Sequence, residues 1–141
     1  MTLSTSEQLA RMQPIRENLP MLDNNDQTTT VADLKKLVDD FVRERDWSQF
    51  HSPKNLAMAL AVEAAELMEH FQWIEVADSR EVANHPEKLA AAAEEIADVL
   101  AYTLAMANSM GVDLSETLHA KMVKNAQKYP ADEYQGRHGG E

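Results

Sequence analysis

Glu63 and Glu66, in the stretch "AVEAAELMEH", are two carboxylates set where burial is expected. Leu56, Leu60, Leu67, Phe71 and Ile74 share one helical face, and Glu63 falls in the middle of that stripe. Glu95 and Asp98, in "EEIADVLAYTLAMA", repeat the three-residue spacing on a second apolar segment. Spacing i, i+3 stacks both side chains of a pair on one face of a helix. Two antiparallel helices would therefore aim four carboxyl groups at one point. Unpaired carboxylates are costly to bury and normally protonate instead, and four together repel. A divalent cation resolves both problems. An all-oxygen donor set suits Mg2+, Mn2+ or Ca2+ better than zinc or copper. A single Glu-x-x-Glu pair is commonly just a solvated face; two pairs within apolar helices point to metal. The di-iron type of bundle requires Glu-x-x-His, and the third residue after Glu63 and Glu95 is Glu66 and Asp98, not histidine.

The few cations concentrate on a later segment. Lys121, Asn125 and Lys128 recur at i, i+4, i+7, and Tyr129 follows with a hydroxyl. Lysines beside an apolar stripe often only snorkel; the other use of such a face is to hold a polyanion. Trp47, His51 and Trp73 flank the segment of the first carboxylate pair, and Tyr102 lies one turn beyond Asp98. These rings are either core filler or a platform for a flat base, where stacking is worth about 1–3 kcal/mol per base. Metal, cations and rings together describe a nucleotide with several phosphates.

The elements that position these residues read as helices. Thr30 caps a first helix with inner positions Leu34, Leu37, Val38 and Phe41. "RDWSQFHS" is a connector. Ser52-Pro53 starts a second helix expected to reach Ile74, and "EVADSREVANHP" reads as a polar connection. A third helix runs from Pro86 to Met110 with Gly111 as its cap, and a fourth opens at Asp113 and ends at Pro130. Residues 1–30 form a flexible arm with a short helix around Glu7–Met12, residues 31–130 the helical domain, and 131–141 a loose tail. The fold class is all-α, a four-helix bundle. Between Leu89 and Val112 the only charges are Glu94, Glu95 and Asp98. A helix apolar nearly all round needs more cover than one small domain provides, which points to an oligomer.

Composition sets the outer limits. The 141 residues suit one domain, and 13 Lys+Arg against 24 Asp+Glu leave a net charge of −11. That balance argues against tight nucleic-acid binding. With no cysteine there is neither a disulfide scaffold nor a thiolate zinc site. The sequence carries no apolar run suited to a signal peptide or a membrane span, so a cytoplasmic location is expected.

The stretches "RDWSQFHSPKNLAMALAVEAAELMEHFQW", "EEIADVLAYTLAMA" and "KMVKNAQKYP" resemble the MazG-like all-α nucleoside triphosphate pyrophosphohydrolases, and most of all the dCTP pyrophosphatase branch. The resemblance spans residues 41–130 with the motifs in order. It implies Mg2+, with Mn2+ as the alternative, held by Glu63, Glu66, Glu95 and Asp98, and phosphate contacts from Lys121 and Asn125 followed by Lys128 and Tyr129. It implies base contacts from Trp47 and Trp73, with His51 and Tyr102 beside them. The expected activity is hydrolysis of a nucleoside triphosphate, dCTP or a modified cytosine nucleotide, to monophosphate and pyrophosphate in nucleotide-pool sanitation. Glu63 or Glu66 is the expected catalytic base, and the expected assembly a homotetramer, a dimer of dimers. Classical MazG sequences open the first motif on a doubled glutamate; here Val62-Glu63 stands in its place. The rival expectation is a non-catalytic helical oligomer with a structural metal.

Overall fold

The computed structural model describes residues 25–137. The proposed helix at Glu7–Met12, and most of the arm, lie outside the described residues. Helix α1 spans Val31–Glu44. Thr30 and Asp33 close a reciprocal capping box: the Asp33 N–H donates to Thr30 Oγ1 at 3.1 Å, and the Thr30 N–H donates to Asp33 Oδ2 at 2.9 Å. The helix ends on a left-handed residue, Asp46 at φ 53. The Trp47 N–H reaches back to the Val42 carbonyl at 3.0 Å and the Asp46 N–H to Arg43 at 3.0 Å. This is the Schellman arrangement, with aspartate in the place glycine usually takes. It turns Trp47 back onto α1, where its ring meets Phe41 edge-on at 5.9 Å.

A 3-10 turn at Ser48–Phe50 leads into α2, Pro53–Glu69, capped by the Ser52 hydroxyl. The helix stops five residues short of the expected Ile74. Its end tightens into i→i+3 bonds, Phe71 to Met68 and Ile74 to Phe71, with no glycine or proline to announce the stop. The stretch expected to be a polar connection instead holds α3, Val76–Glu81, and a 3-10 turn at Val82–Asn84. The reason is Val82, which is buried against the next helix; one apolar anchor is too little for periodicity to detect.

Helix α4 matches its expected bounds, Pro86–Met110. Gly111 sits at φ 65, and the Val112 N–H bonds the Ala107 carbonyl at 2.9 Å, closing a second Schellman cap. A side chain at Gly111 would be strained there. Helix α5 spans Leu114–Lys128 with Asp113 accepting from the Glu116 N–H. A single turn, α6, Ala131–Tyr134, forms in the stretch expected to be loose, and its Tyr134 ring packs edge-on to Tyr129 at 5.2 Å.

All described elements are helical. The central helix is α4: α2 packs along it and α1 crosses it. The core is Val42, Leu56, Val82, Ala92, Leu104, Ala105 and Ala107. Helix α5 contributes no buried residue and adds little packing, so of the four expected bundle helices α1, α2 and α4 pack together within the chain and α5 does not close on them. Met58, Val62, Ile96, Leu100, Leu118 and Met122 stay exposed. No helix among the described residues is long and apolar enough to cross a membrane.

Candidate active site

The packing of α2 on α4 is antiparallel. The Ser109 hydroxyl near the end of α4 donates to the His51 carbonyl just before α2, at 3.2 Å. At the other end, His70 and Phe71 share a cleft with Lys88 and Ala91. In this register the two carboxylate pairs meet near mid-helix. One carboxylate oxygen from each of Glu63, Glu66 and Glu95 lies within 4.8 Å of the others. Asp98 stands outside that tight trio, near enough for its charge to act on Glu63. Glu95 Oε2 is buried with no hydrogen-bond partner. A buried carboxylate oxygen left orphaned beside two more carboxylates fits a divalent cation, by the hardness of the donor set and by the charge it must offset.

Electrostatics say the same. Burial raises the Glu63 carboxyl above its ordinary 4.5; repulsion from Glu66 and Asp98, a hydrogen bond to Glu66 and the Glu95 charge add to the rise. A carboxyl with a raised folded value holds its proton more tightly in the fold than in the unfolded chain. Its contribution to stability is therefore present at low pH and lost as pH rises through the folded value. With metal chelated, the melting temperature should fall with rising pH above 4.5 more steeply for wild type than for Glu63→Gln. Saturating Mg2+ should remove the difference, because a cation replaces the proton. Equal slopes in melts of the two chelated proteins would take Glu63 out of the cluster.

Three of the four candidate base contacts converge. Trp47, His51 and Tyr102 line one cleft of about 160 Å3 between α1 and α4, together with Phe41, Ala101 and Asp98. Asp98 thus belongs to both the carboxylate region and the ring-lined cleft. Trp47 remains 45% exposed. Trp73 does not line this cleft; at 88% exposure it projects from the turn after α2. It is no core residue of this chain.

Lys121, Asn125 and Lys128 do lie along α5, with Lys128 Nζ 5.1 Å from the Tyr129 ring centroid. The structure brings none of them to the carboxylates: no ion pair among the described residues links α5 to Glu63, Glu66, Glu95 or Asp98. His70 was not among the expected site residues. Its Nε2 lies 3.9 Å from Glu95 Oε1. Its position one turn after Glu66, on the same side of α2, was the available signal.

Comparison with known proteins adds three findings. The model of the MazG-like family matches residues 58–138. Rat dCTP pyrophosphatase 1 is 45% identical over 101 residues, covering 72% of this chain and 59% of that protein. Human dCTP pyrophosphatase 1 is 42% identical over 102 residues, covering 72% of this chain and 60% of that protein. The chain thus spans about three-fifths of the length of these curated relatives. The crystal structure of a pyrophosphatase from Archaeoglobus fulgidus superposes with a TM-score of 0.64 at 37% identity, covering 70% of this chain and 91% of that one.

Proposed function

The chain belongs to the MazG-like family, and on that premise we propose that it is a Mg2+-dependent nucleoside triphosphate pyrophosphohydrolase acting on dCTP or related cytosine nucleotides. Mn2+ is the alternative metal, and nucleotide-pool sanitation in the cytoplasm the proposed role. The observation that carries the proposal is the trio Glu63, Glu66 and Glu95 gathered around an orphaned buried oxygen, with Asp98 leading from it into a ring-lined cleft. The names of the relatives, dCTP pyrophosphatase 1 and a pyrophosphatase, support it.

In this scheme Glu63, Glu66, Glu95 and Asp98 hold the metal. Bound Mg2+ supplies neutralisation of the phosphate oxygens and their orientation. Glu63 or Glu66 accepts the proton of the attacking water, and the bond broken is the α–β phosphoanhydride, leaving monophosphate and pyrophosphate. Trp47 and Tyr102 flank the base, with His51 at its edge; Trp73, at the opposite end of α2, would join them only from a second copy of the chain. Lys121, Asn125, Lys128 and Tyr129 stabilise charge on the leaving pyrophosphate. Since α5 stands clear of the carboxylates in one chain, this scheme has assembly close it over a site. A panel of the eight common NTPs and dNTPs plus 5-methyl-dCTP, followed by pyrophosphate release, tests the proposal. No release from any of them would favour a non-catalytic oligomer with a structural metal.

The assembly proposed is a homotetramer, a dimer of dimers, because the exposed apolar residues of α2, α4 and α5 need partners. Light scattering should report about four times the chain mass of 15.8 kDa. A monomer at micromolar concentration would contradict it.

A further inference from the structure

A second cleft, also of about 160 Å3, adjoins the ring-lined one. The two share Val38, Val42, His51 and Ala105 as a common wall. Where the first adds Asp98 and rings, the second adds Asp39, Ser48, Asn108 and Ser109. Along α4 the residues Asp98, Tyr102, Ala105 and Asn108 follow one another on one face. They span roughly 15 Å from the carboxylate end to the polar end at 1.5 Å per residue. A nucleotide with its phosphates at Asp98 and its ring between Trp47 and Tyr102 therefore points the far edge of its base toward this second cleft.

Resting on the nucleotide reading above, we infer that the polar cleft beyond His51 receives the exocyclic amino group of the base, and that the Asp39 carboxylate is the acceptor selecting amino-bearing bases. Two of the polar side chains lining it already donate within the chain. Asn108 Nδ2 donates to the Lys35 carbonyl at 2.9 Å, leaving Oδ1 as the free end of that side chain. The Ser109 hydroxyl donates to the His51 carbonyl at 3.2 Å. Asp39 Oδ2 accepts from Arg43 Nη1 at 3.3 Å, on a side chain 45% exposed, and Oδ1 has no such partner. Asp39 Oδ1 and Asn108 Oδ1 are thus acceptors left to meet a donor from a ligand, while the Ser48 hydroxyl and the His51 ring, which also line the cleft, can accept or donate. Cytosine and adenine carry an amino group opposite the glycosidic bond; uracil and thymine carry a carbonyl oxygen there, which would face a carboxylate. Asp accepting from the cytosine amino group is the pairing expected from base-edge chemistry. A carboxylate at this end also turns the triphosphate away, so it fixes the direction in which the nucleotide enters. Register is secured independently, because Lys35 Nζ donates to the Val112 carbonyl at 2.8 Å and pins α1 to the end of α4.

The test compares kcat/KM for dCTP and dUTP, equal in ring size, using the full chain with saturating Mg2+. Wild type should prefer dCTP. Asp39→Asn places a rotatable amide there that can donate to the carbonyl oxygen, and should lower the dCTP/dUTP ratio by about 10- to 100-fold, chiefly through KM. Asp39→Ala should lose preference by weakening dCTP without improving dUTP. Melting temperatures near wild type are expected for both variants, since the side chain is half-exposed. An unchanged ratio in Asp39→Asn, an equal loss toward both nucleotides, or no wild-type preference for dCTP would each overturn the subsite while leaving the pyrophosphohydrolase standing. A wild-type enzyme that hydrolyses neither nucleotide would instead defeat the pyrophosphohydrolase, and the subsite with it.

Discussion

Glu95→Gln should abolish turnover and the Mg2+-dependent rise in melting temperature together, while helix content is unchanged. The side chain keeps its shape, so α4 keeps its packing. What changes is the donor set: the buried Oε2, now without a partner, becomes part of a neutral amide beside Glu63 and Glu66. Groups that only orient a metal ligand typically cost 10- to 100-fold when removed; loss of a ligand itself should exceed about 100-fold in kcat/KM on that scale. In the wild type, Mg2+ binding to the folded chain should stabilise it by mass action, by about 2.7 kcal/mol at 100 times Kd. The variant should show none of that shift. Thermal melts with and without Mg2+, beside a turnover assay, measure both. Wild-type turnover at saturating Mg2+ would remove Glu95 from the site.

Lys121→Met should reduce kcat/KM for dCTP by roughly 10²–10³-fold, the scale for removing one preorganised group aimed at developing charge. No residue of α5 is buried, so the substitution takes nothing from the core of the chain. Surface changes of this kind usually lie within about 0.5 kcal/mol in stability. The Mg2+ shift in melting temperature should persist, because the carboxylates are untouched. Light scattering on the variant shows whether the assembly persists too. Kinetics equal to wild type in an intact assembly would leave Lys121 as a solvated lysine.

How far the sequence could be read depended on whether a local rule governed each feature. The ends of α4 are backbone-determined, proline at one and a left-handed glycine at the other, and both were legible. The gathering of Glu63, Glu66 and Glu95 was legible because helical spacing stacks each pair and the apolar stripes force α2 against α4. The stop of α2 at Glu69 was not, since only i→i+3 bonds and the burial of Val82 set it. Tyr102 followed from Asp98 by one helical turn. The entry of Trp47 into the same cleft depended on a left-handed aspartate that no residue preference would single out. The exposure of Trp73 and the standing-off of α5 are matters of tertiary packing, and periodicity along one chain carries neither. The approach of His70 to Glu95 joins the end of α2 to α4, and only its spacing from Glu66 hinted at it.

Phosphorus NMR of the products formed from dCTP and Mg2+ tests the proposed activity most directly. Cleavage between the α and β phosphorus atoms predicts dCMP and pyrophosphate in equal amounts, formed by wild type and not by Glu95→Gln. Orthophosphate with dCDP, or no conversion by an assembled, Mg2+-bound wild type, would contradict it.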